Sequence, residues 1–254
     1  IKYCILYKNY SLSNYSLLIK TINTNRFPVL MTYIPEYNHL KMLVYNYVMV
    51  EKELINCNFK YYIVLRTEEE EIICEKQFEP NESVTECNFV DLPSDQGRGS
   101  TKYIAVGVNI ISTGREYEPL MAKIQLYSKD KRECELIAEK RDIKGTITMI
   151  QACKSFIIVC EGSEVCIYQF YPINFELKKI DKIENKNLAI CSRLINGILL
   201  TGDMINSVNL MYVKYKADSN KLDIIELVKN NSKYKTTTCC LCLVHKQRCC
   251  ILFD

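Results

Sequence analysis

Short runs of Val, Ile, Tyr, Phe, Leu and Cys alternate with polar breaks along most of this chain: Tyr61–Arg66 and Ile72–Phe78, then Tyr103–Asn109, Ile124–Tyr127, Leu136–Glu139, Phe156–Cys160 and Val165–Phe170. β-Branched and aromatic side chains lose freedom in a helix but sit well on a pleated surface, so these runs predict strands. No stretch longer than about ten residues keeps apolar positions at the i, i+3, i+4, i+7 spacing of an amphipathic helix. Helices are expected to be scarce.

The breaks are legible one by one. Asn196-Gly197, between Ser192–Ile195 and Ile198–Thr201, predicts a tight hairpin, because both central residues of a type I′ turn need positive φ. Glu161-Gly162-Ser163, Ala217–Lys221 and Ser128–Lys131 are similar small polar breaks. The acidic run Glu68–Glu71 reads as a solvated hairpin tip, and Pro93–Thr101 and Ser112–Leu120 as surface loops.

Three stretches, Tyr103–Lys140, Thr146–Ile183 and Leu188–Val228, share one layout: a strand ending near Gly107, Gly162 or Gly202, a second strand ending in Tyr or Phe, a polar turn, and a strand with a charged outer side. The glycines recur at intervals of about 40 to 55 residues, near the period of a four-stranded propeller blade. A weaker copy covers Leu40–Phe78, and another starts at Thr236. A lone four-stranded sheet cannot bury both faces and must stack on its neighbours. The expected fold is therefore all-β, an incomplete β-propeller of about five four-stranded blades out of about seven. It is read as one partial domain over 1–254, with blades at approximately 27–80, 81–143, 144–184 and 185–230 and partial blades at 1–26 and 231–254. A sandwich or barrel with the same strand count is the rival.

Composition narrows the function classes. The 254 residues are 48% hydrophobic and 25% charged, as in an ordinary globular protein, and the net charge of +3 gives no basic stripe for nucleic acid. No uncharged stretch approaches the roughly 20 apolar residues that span a bilayer as a helix. The first residue is Ile1 and no leader pattern follows, so the chain reads as part of a longer polypeptide. The 14 Cys are scattered through apolar runs, at Cys74, Cys153, Cys160, Cys166 and Cys191 among others, where a free thiol behaves as a small hydrophobe; this favours a reducing compartment.

Candidate chemistry is thin. Cys239-x-x-Cys242-x-x-His245-x-x-x-Cys249 has zinc-ligand residue types. The same stretch also reads as two strands, Thr236–Val244 and Arg248–Phe253, around the turn His245-Lys246-Gln247, and alternation then puts Cys239 and Cys242 on opposite faces. The strand reading is the one carried forward, with no metal. His39 lies in a Pro-Glu-Tyr-Asn-His turn, and neither His39 nor His245 sits in a nucleophile motif. Gly97-Arg98-Gly99 lacks the third glycine of a dinucleotide loop, and Asp203 reads as a turn residue. The 18 Tyr and 8 Phe fall mostly inside strand runs, where core packing claims them. No catalytic residue and no cofactor is expected.

Ile104-Ala105-Val106-Gly107, Glu116-Tyr117-Glu118-Pro119, Ala138-Glu139-Lys140-Arg141-Asp142-Ile143-Lys144-Gly145 and Gly202-Asp203-Met204-Ile205-Asn206-Ser207-Val208 resemble, in order and spacing, the family of large triple-propeller scaffolds. Its members are the damaged-DNA-binding protein large subunit, the large (A) subunit of the cleavage and polyadenylation specificity factor, and a spliceosomal propeller subunit. The short connection from Ile124–Tyr127 to Ala138-Glu139-Lys140 is most similar to the damaged-DNA-binding subunit, although Phe170 stands where that subunit has Trp and Ala122-Lys123 replaces its Gly-Arg. The resemblance implies a non-enzymatic adaptor of a cullin-RING ubiquitin ligase in DNA damage repair, in the nucleus and also the cytoplasm. The alternative is a subunit of the messenger-RNA 3′-end processing or splicing machinery, with RNA as a mostly indirect partner. It also implies that this region is most of the third propeller, which with the first forms a cleft gripping a short helix of substrate-receptor proteins. Thr148, Met149, Leu188 and Ile190 match segments lining that cleft and are the expected partner contacts; ordinary packing between blades is the other reading of the same four. The expected partners are therefore proteins, including other propellers of the same chain, with nucleic acid as a further, mostly indirect partner and with no membrane and no small-molecule substrate.

Overall fold

The computed structural model describes residues 2–9, 16–24, 26–37, 43–55, 58–67, 70–94, 99–111, 119–128, 134–184, 188–203, 208–219, 221–229, 238–244 and 247–253. They are strands and turns, with no helix among them. The chain divides into two compact units, Ile1–Pro80 and Asn81–Asp254.

The first unit holds a hairpin, β1 (Lys2–Asn9) with β2 (Ser16–Asn23), and an antiparallel sheet of β3 (Phe27–Tyr37), β4 (Leu43–Ile55), β5 (Asn58–Arg66) and β6 (Ile72–Gln77) in that order. Its central strands bury consecutive residues, Tyr47–Val50 and Tyr62–Leu65, so both faces of each strand are covered. Glu51, only 2% exposed, ends the first of these runs and is held by Arg66 at 3.1 Å and Arg26 at 3.7 Å. Arg26 also stacks 3.7 Å from the Tyr62 ring centroid. Of the turn expected from Pro35 to His39, the first three residues are strand. Pro35, Glu36 and Tyr37 continue β3, paired with Tyr45, Val44 and Leu43 of β4, and His39 lies outside the described residues.

The second unit repeats one meander. Strands β7 (Glu82–Pro93), β8 (Ser100–Ile111), β9 (Pro119–Ser128) and β10 (Leu136–Ile143) form one sheet. The next is β11 (Ile147–Cys153), β12 (Phe156–Glu161), β13 (Glu164–Tyr171) and β14 (Glu176–Glu184), and the third is β15 (Ala189–Ile195), β16 (Ile198–Asp203), β17 (Val208–Lys216) and β18 (Lys221–Lys229). A hairpin, β19 (Thr238–Val244) with β20 (Gln247–Phe253), follows. The first strand of each sheet lies beside the first strand of the next, β7 by β11, β11 by β15 and β15 by β19. This is the stacking of propeller blades, and the fold is an incomplete propeller-like all-β fold.

Strand alternation explains how one sheet serves two seams. On β12, Ile157 and Val159 face the β7–β10 sheet, while Phe156, Ile158 and Cys160 face the β15–β18 sheet; all five are fully buried. On β13, Cys166, Tyr168 and Phe170 take the first side and Val165 and Ile167 the second. Phe170 meets Tyr103 edge to face at 5.4 Å across the first seam. Backbone comes close there too: a Cβ on Gly107 would sit 2.7 Å from Ile147 Cγ2. Hydrogen bonds also cross between successive sheets. Asn88 Nδ2 donates to Ile150 O (3.1 Å), Ile147 N to Asn109 Oδ1 (3.4 Å), Leu194 N to Gln151 Oε1 (2.7 Å) and Ala189 N to Gly162 O (3.2 Å).

The cysteines divide. Cys87, Cys153, Cys160, Cys166 and Cys191 are free, and burial pushes the Cys160 thiol up to about 12, so it stays protonated. Cys74 corrects the expectation: it is disulfide-bonded, as is Cys134. In the C-terminal hairpin the backbone register pairs Cys242 with Cys249 and Cys239 with Leu252; His245 lies outside the described residues.

Candidate protein-docking site

All four four-stranded sheets open with the same irregularity. The register of the first strand against the second slips by one residue between Pro28 and Leu30, Val84 and Glu86, Ile147 and Met149, and Ala189 and Cys191. The extra residue of such a bulge leaves the ladder and is re-aimed. In the second unit the three bulged residues are Thr85, Thr148 and Ile190, and they line one cavity of about 340 Å³ between β7, β11 and β15. Glu86, Asn109, Ser192 and Arg193 line it as well. A device repeated in each sheet thus gathers side chains more than 100 residues apart in sequence.

The cavity is polar and incompletely paired. Asn109 is committed to Ile147 N, and Thr85 Oγ1 donates to Gly107 O at 3.4 Å. Thr148 Oγ1 is buried with no hydrogen-bond partner. Burial pushes the Glu86 carboxyl up to about 7; Arg193 and the Cys87 N–H, 3.3 Å from Glu86 Oε1, pull it the other way. Arg193 acts from across the cavity without closing to an ion pair. Glu86 is therefore a half-buried acid that Arg193 favours through space without forming an ion pair.

Of the four residues expected to touch a partner, two share this cavity: Thr148 and Ile190, both at bulges. Met149 is 1% exposed and points the other way, into the core between the β11–β14 and β15–β18 sheets. Leu188, 37% exposed, precedes β15 and lies off the cavity. Glu86, Asn109 and Arg193 were not expected. No sequence signal marks them: the bulge at Thr148 shows in the structure, where Ile147 and Ile150 face the same seam although three residues apart.

The family model of the CPSF A subunit region matches residues 60–254. The chain belongs to that family. The CPSF A match starts within β5 and takes in the whole second unit, cavity included. No curated protein matches the chain. With the stacked sheets, membership makes this protein a propeller scaffold of the CPSF A kind.

A second cluster in the CPSF A region is closed. Glu161, Glu164 and Cys166 bring ligand atoms within 4.8 Å of one another. The Lys179 ammonium already bonds Glu161 and lies 2.9 Å from Glu164, while Tyr168 Oη donates to Glu161 at 2.7 Å and Cys166 Sγ at 3.0 Å. Burial disfavours the Lys179 charge and these acceptors more than restore it, and burial beside Glu161 keeps the Cys166 thiol and the Tyr168 phenol protonated. The cation of this cluster is the protein's own.

Proposed function

We propose that this CPSF A scaffold is an adaptor subunit of a cullin-RING ubiquitin ligase acting in DNA damage repair, without catalysis of its own, in the nucleus and also the cytoplasm. The observation that carries the reading is the cavity of Thr85, Thr148 and Ile190, because a recess shared by the first strands of three successive sheets is a place for a partner segment to anchor. The free thiols among the described residues, all in strands of the second unit, support a reducing compartment, and the bonded Cys74 and Cys134 weigh against it.

The name of the matching family favours a second reading, a subunit of the 3′-end cleavage and polyadenylation machinery. Affinity capture of the tagged chain from nuclear extract separates the two. Recovery of a cullin with substrate-receptor proteins supports the first; recovery of endonuclease and poly(A) machinery overturns it in favour of the second.

A further inference from the structure

Among the described residues, the buried acids Glu51 and Glu161 carry their own cation at ion-pair distance. Glu86 does not. It follows the bulge at Thr85, opens onto the cavity, and receives one long bond from the next residue's N–H. The nearest positive group acting on it, Arg193, reaches it only through space. A desolvated carboxylate without a paired cation is costly to a folded chain, and a well-placed cation that also satisfies its hydrogen bonds offsets that cost. Thr148 and Ser192 line the same cavity, and the hydroxyl oxygen of each is buried without a hydrogen-bond partner.

We infer that this cavity is a receptor for a basic side chain, an arginine presented by a partner protein, with the Glu86 carboxylate as its counter-ion and Thr148 as an additional acceptor. A guanidinium suits the site better than an ammonium because its donors are spread over a planar fork and can reach carboxylate and hydroxyl together. The cavity volume of about 340 Å³ admits a side chain and excludes a folded domain, so the rest of the partner lies outside. Arg193 is the resident competitor: its charge partly supplies what the ligand would supply. The inference rests on the scaffold reading only for the source of the arginine.

Ionisation of Glu86 gives the site a pH signature. The groups facing it are Arg193 and Cys191 of β15, Cys160 of β12, Asn109 of β8 and its own neighbour Cys87. Of these, the thiols Cys87 and Cys160 are held protonated by burial, while burial brings the Glu86 carboxyl up to about 7. Cation binding should strengthen as pH rises through about 7 and level off above it.

The test is titration of the chain with Nα-acetyl-arginine methylamide, followed by backbone amide shifts at Thr85–Cys87 and Thr148, with the uncharged citrulline analogue as control. Expected are saturable shifts with the arginine probe and none with citrulline, at least tenfold weaker binding in Glu86→Gln, tighter binding in Arg193→Gln, and loss of affinity from pH 8 to pH 5.5. Equal binding of citrulline, unchanged affinity in Glu86→Gln, or weaker binding in Arg193→Gln would overturn it. Glu86→Gln keeps shape and removes charge, so its melting temperature stays at or above that of the parent chain and misfolding cannot imitate the result. If the probe fails while nuclear capture still recovers a cullin, this inference falls and the adaptor reading stands; the reverse outcome sinks the adaptor reading alone.

Discussion

Glu161 and Glu86 are both carboxylates drawn out of water in the second unit, yet their surroundings are opposite. Glu161, 5% exposed at the end of β12, is bonded by the Lys179 ammonium, the Tyr168 phenol and the Cys166 thiol. Glu86, beside the bulge of β7, faces a cavity and has a backbone N–H and a guanidinium that forms no ion pair with it. The first acid is finished by its own sheet, through residues on β13 and β14. The second depends on a neighbouring sheet and is left incomplete. Burial alone therefore does not distinguish these two acids; the presence or absence of a local cation does.

The largest effect expected from disturbing this contrast is at Lys179. Lys179→Met removes the cation from a buried Glu161 and should cost about 3 kcal/mol, read as a lower urea midpoint at unchanged slope. The double variant Lys179→Met with Glu161→Gln should recover much of that loss, because the uncompensated charge is gone. A single-variant loss under about 0.5 kcal/mol would place Glu161 among acids that tolerate isolation.

Glu86 should behave with the opposite sign. Its folded-state value, about 7, lies above the ordinary carboxylate value, so the folded chain holds the proton more tightly than the unfolded chain does. Stability present at low pH is then lost as pH rises through this window, by on the order of 2 kcal/mol, and is not regained above it. Glu86→Gln should abolish that loss and leave the variant more stable than the parent at pH 8 by a similar amount. The measurement is the urea midpoint of both chains at pH 5 and pH 8; parallel pH dependence in the two would assign the titration elsewhere.

Gly107 extends the contrast to an apolar contact. At the seam where Gly107 meets Ile147, the Cβ of Gly107→Ala would arrive 2.7 Å from Ile147 Cγ2 and 3.1 Å from its Cβ. Overpacking of this kind should cost about 2 kcal/mol, and a partner change to Ile147→Ala should be less harmful in the alanine background than in the parent. Additive losses would mean that the two sheets separate freely at this point.

Much of this could be read from the sequence, for reasons that differ by element. The runs Phe156–Cys160 and Val165–Phe170 are strands β12 and β13, because a strand buried on both faces must be apolar at consecutive positions. The repeating meander, and with it the propeller-like class, follows from the same runs spaced by polar turns. The shared glycine landmark was less true: by register Gly107 and Gly202 are equivalent to Cys160, and Gly162 lies two residues beyond, where its N–H reaches Thr146 O and its carbonyl reaches Ala189. The candidate site was only half visible. Thr148 and Ile190 came from resemblance, but Glu86 and Arg193 become neighbours through the stacking of sheets, and a bulge that re-aims a side chain leaves no mark in composition. Met149 shows the converse: one residue beyond a bulge, a side chain belongs to the core.

The smallest effect belongs to a feature that local sequence determines almost alone. Asn196 and Gly197 join β15 to β16 with φ of 49° and 78°, the two positive values of a type I′ turn. Asn tolerates the left-handed region and Ala does not, so Asn196→Ala should cost about 1 kcal/mol. Gly197 is less replaceable, because a Cβ there would also sit 3.1 Å from Val213 O, whose amide already donates to Gly197 O. Since the turn lies outside both the Glu161 cluster and the Glu86 cavity, Asn196→Ala should lower the urea midpoint while leaving arginine-probe affinity unchanged. A matching drop in affinity would show that the cavity depends on the whole third sheet of the unit, and the contrast between a locally completed acid and one completed by its neighbours would have to be drawn at the level of sheets instead of residues.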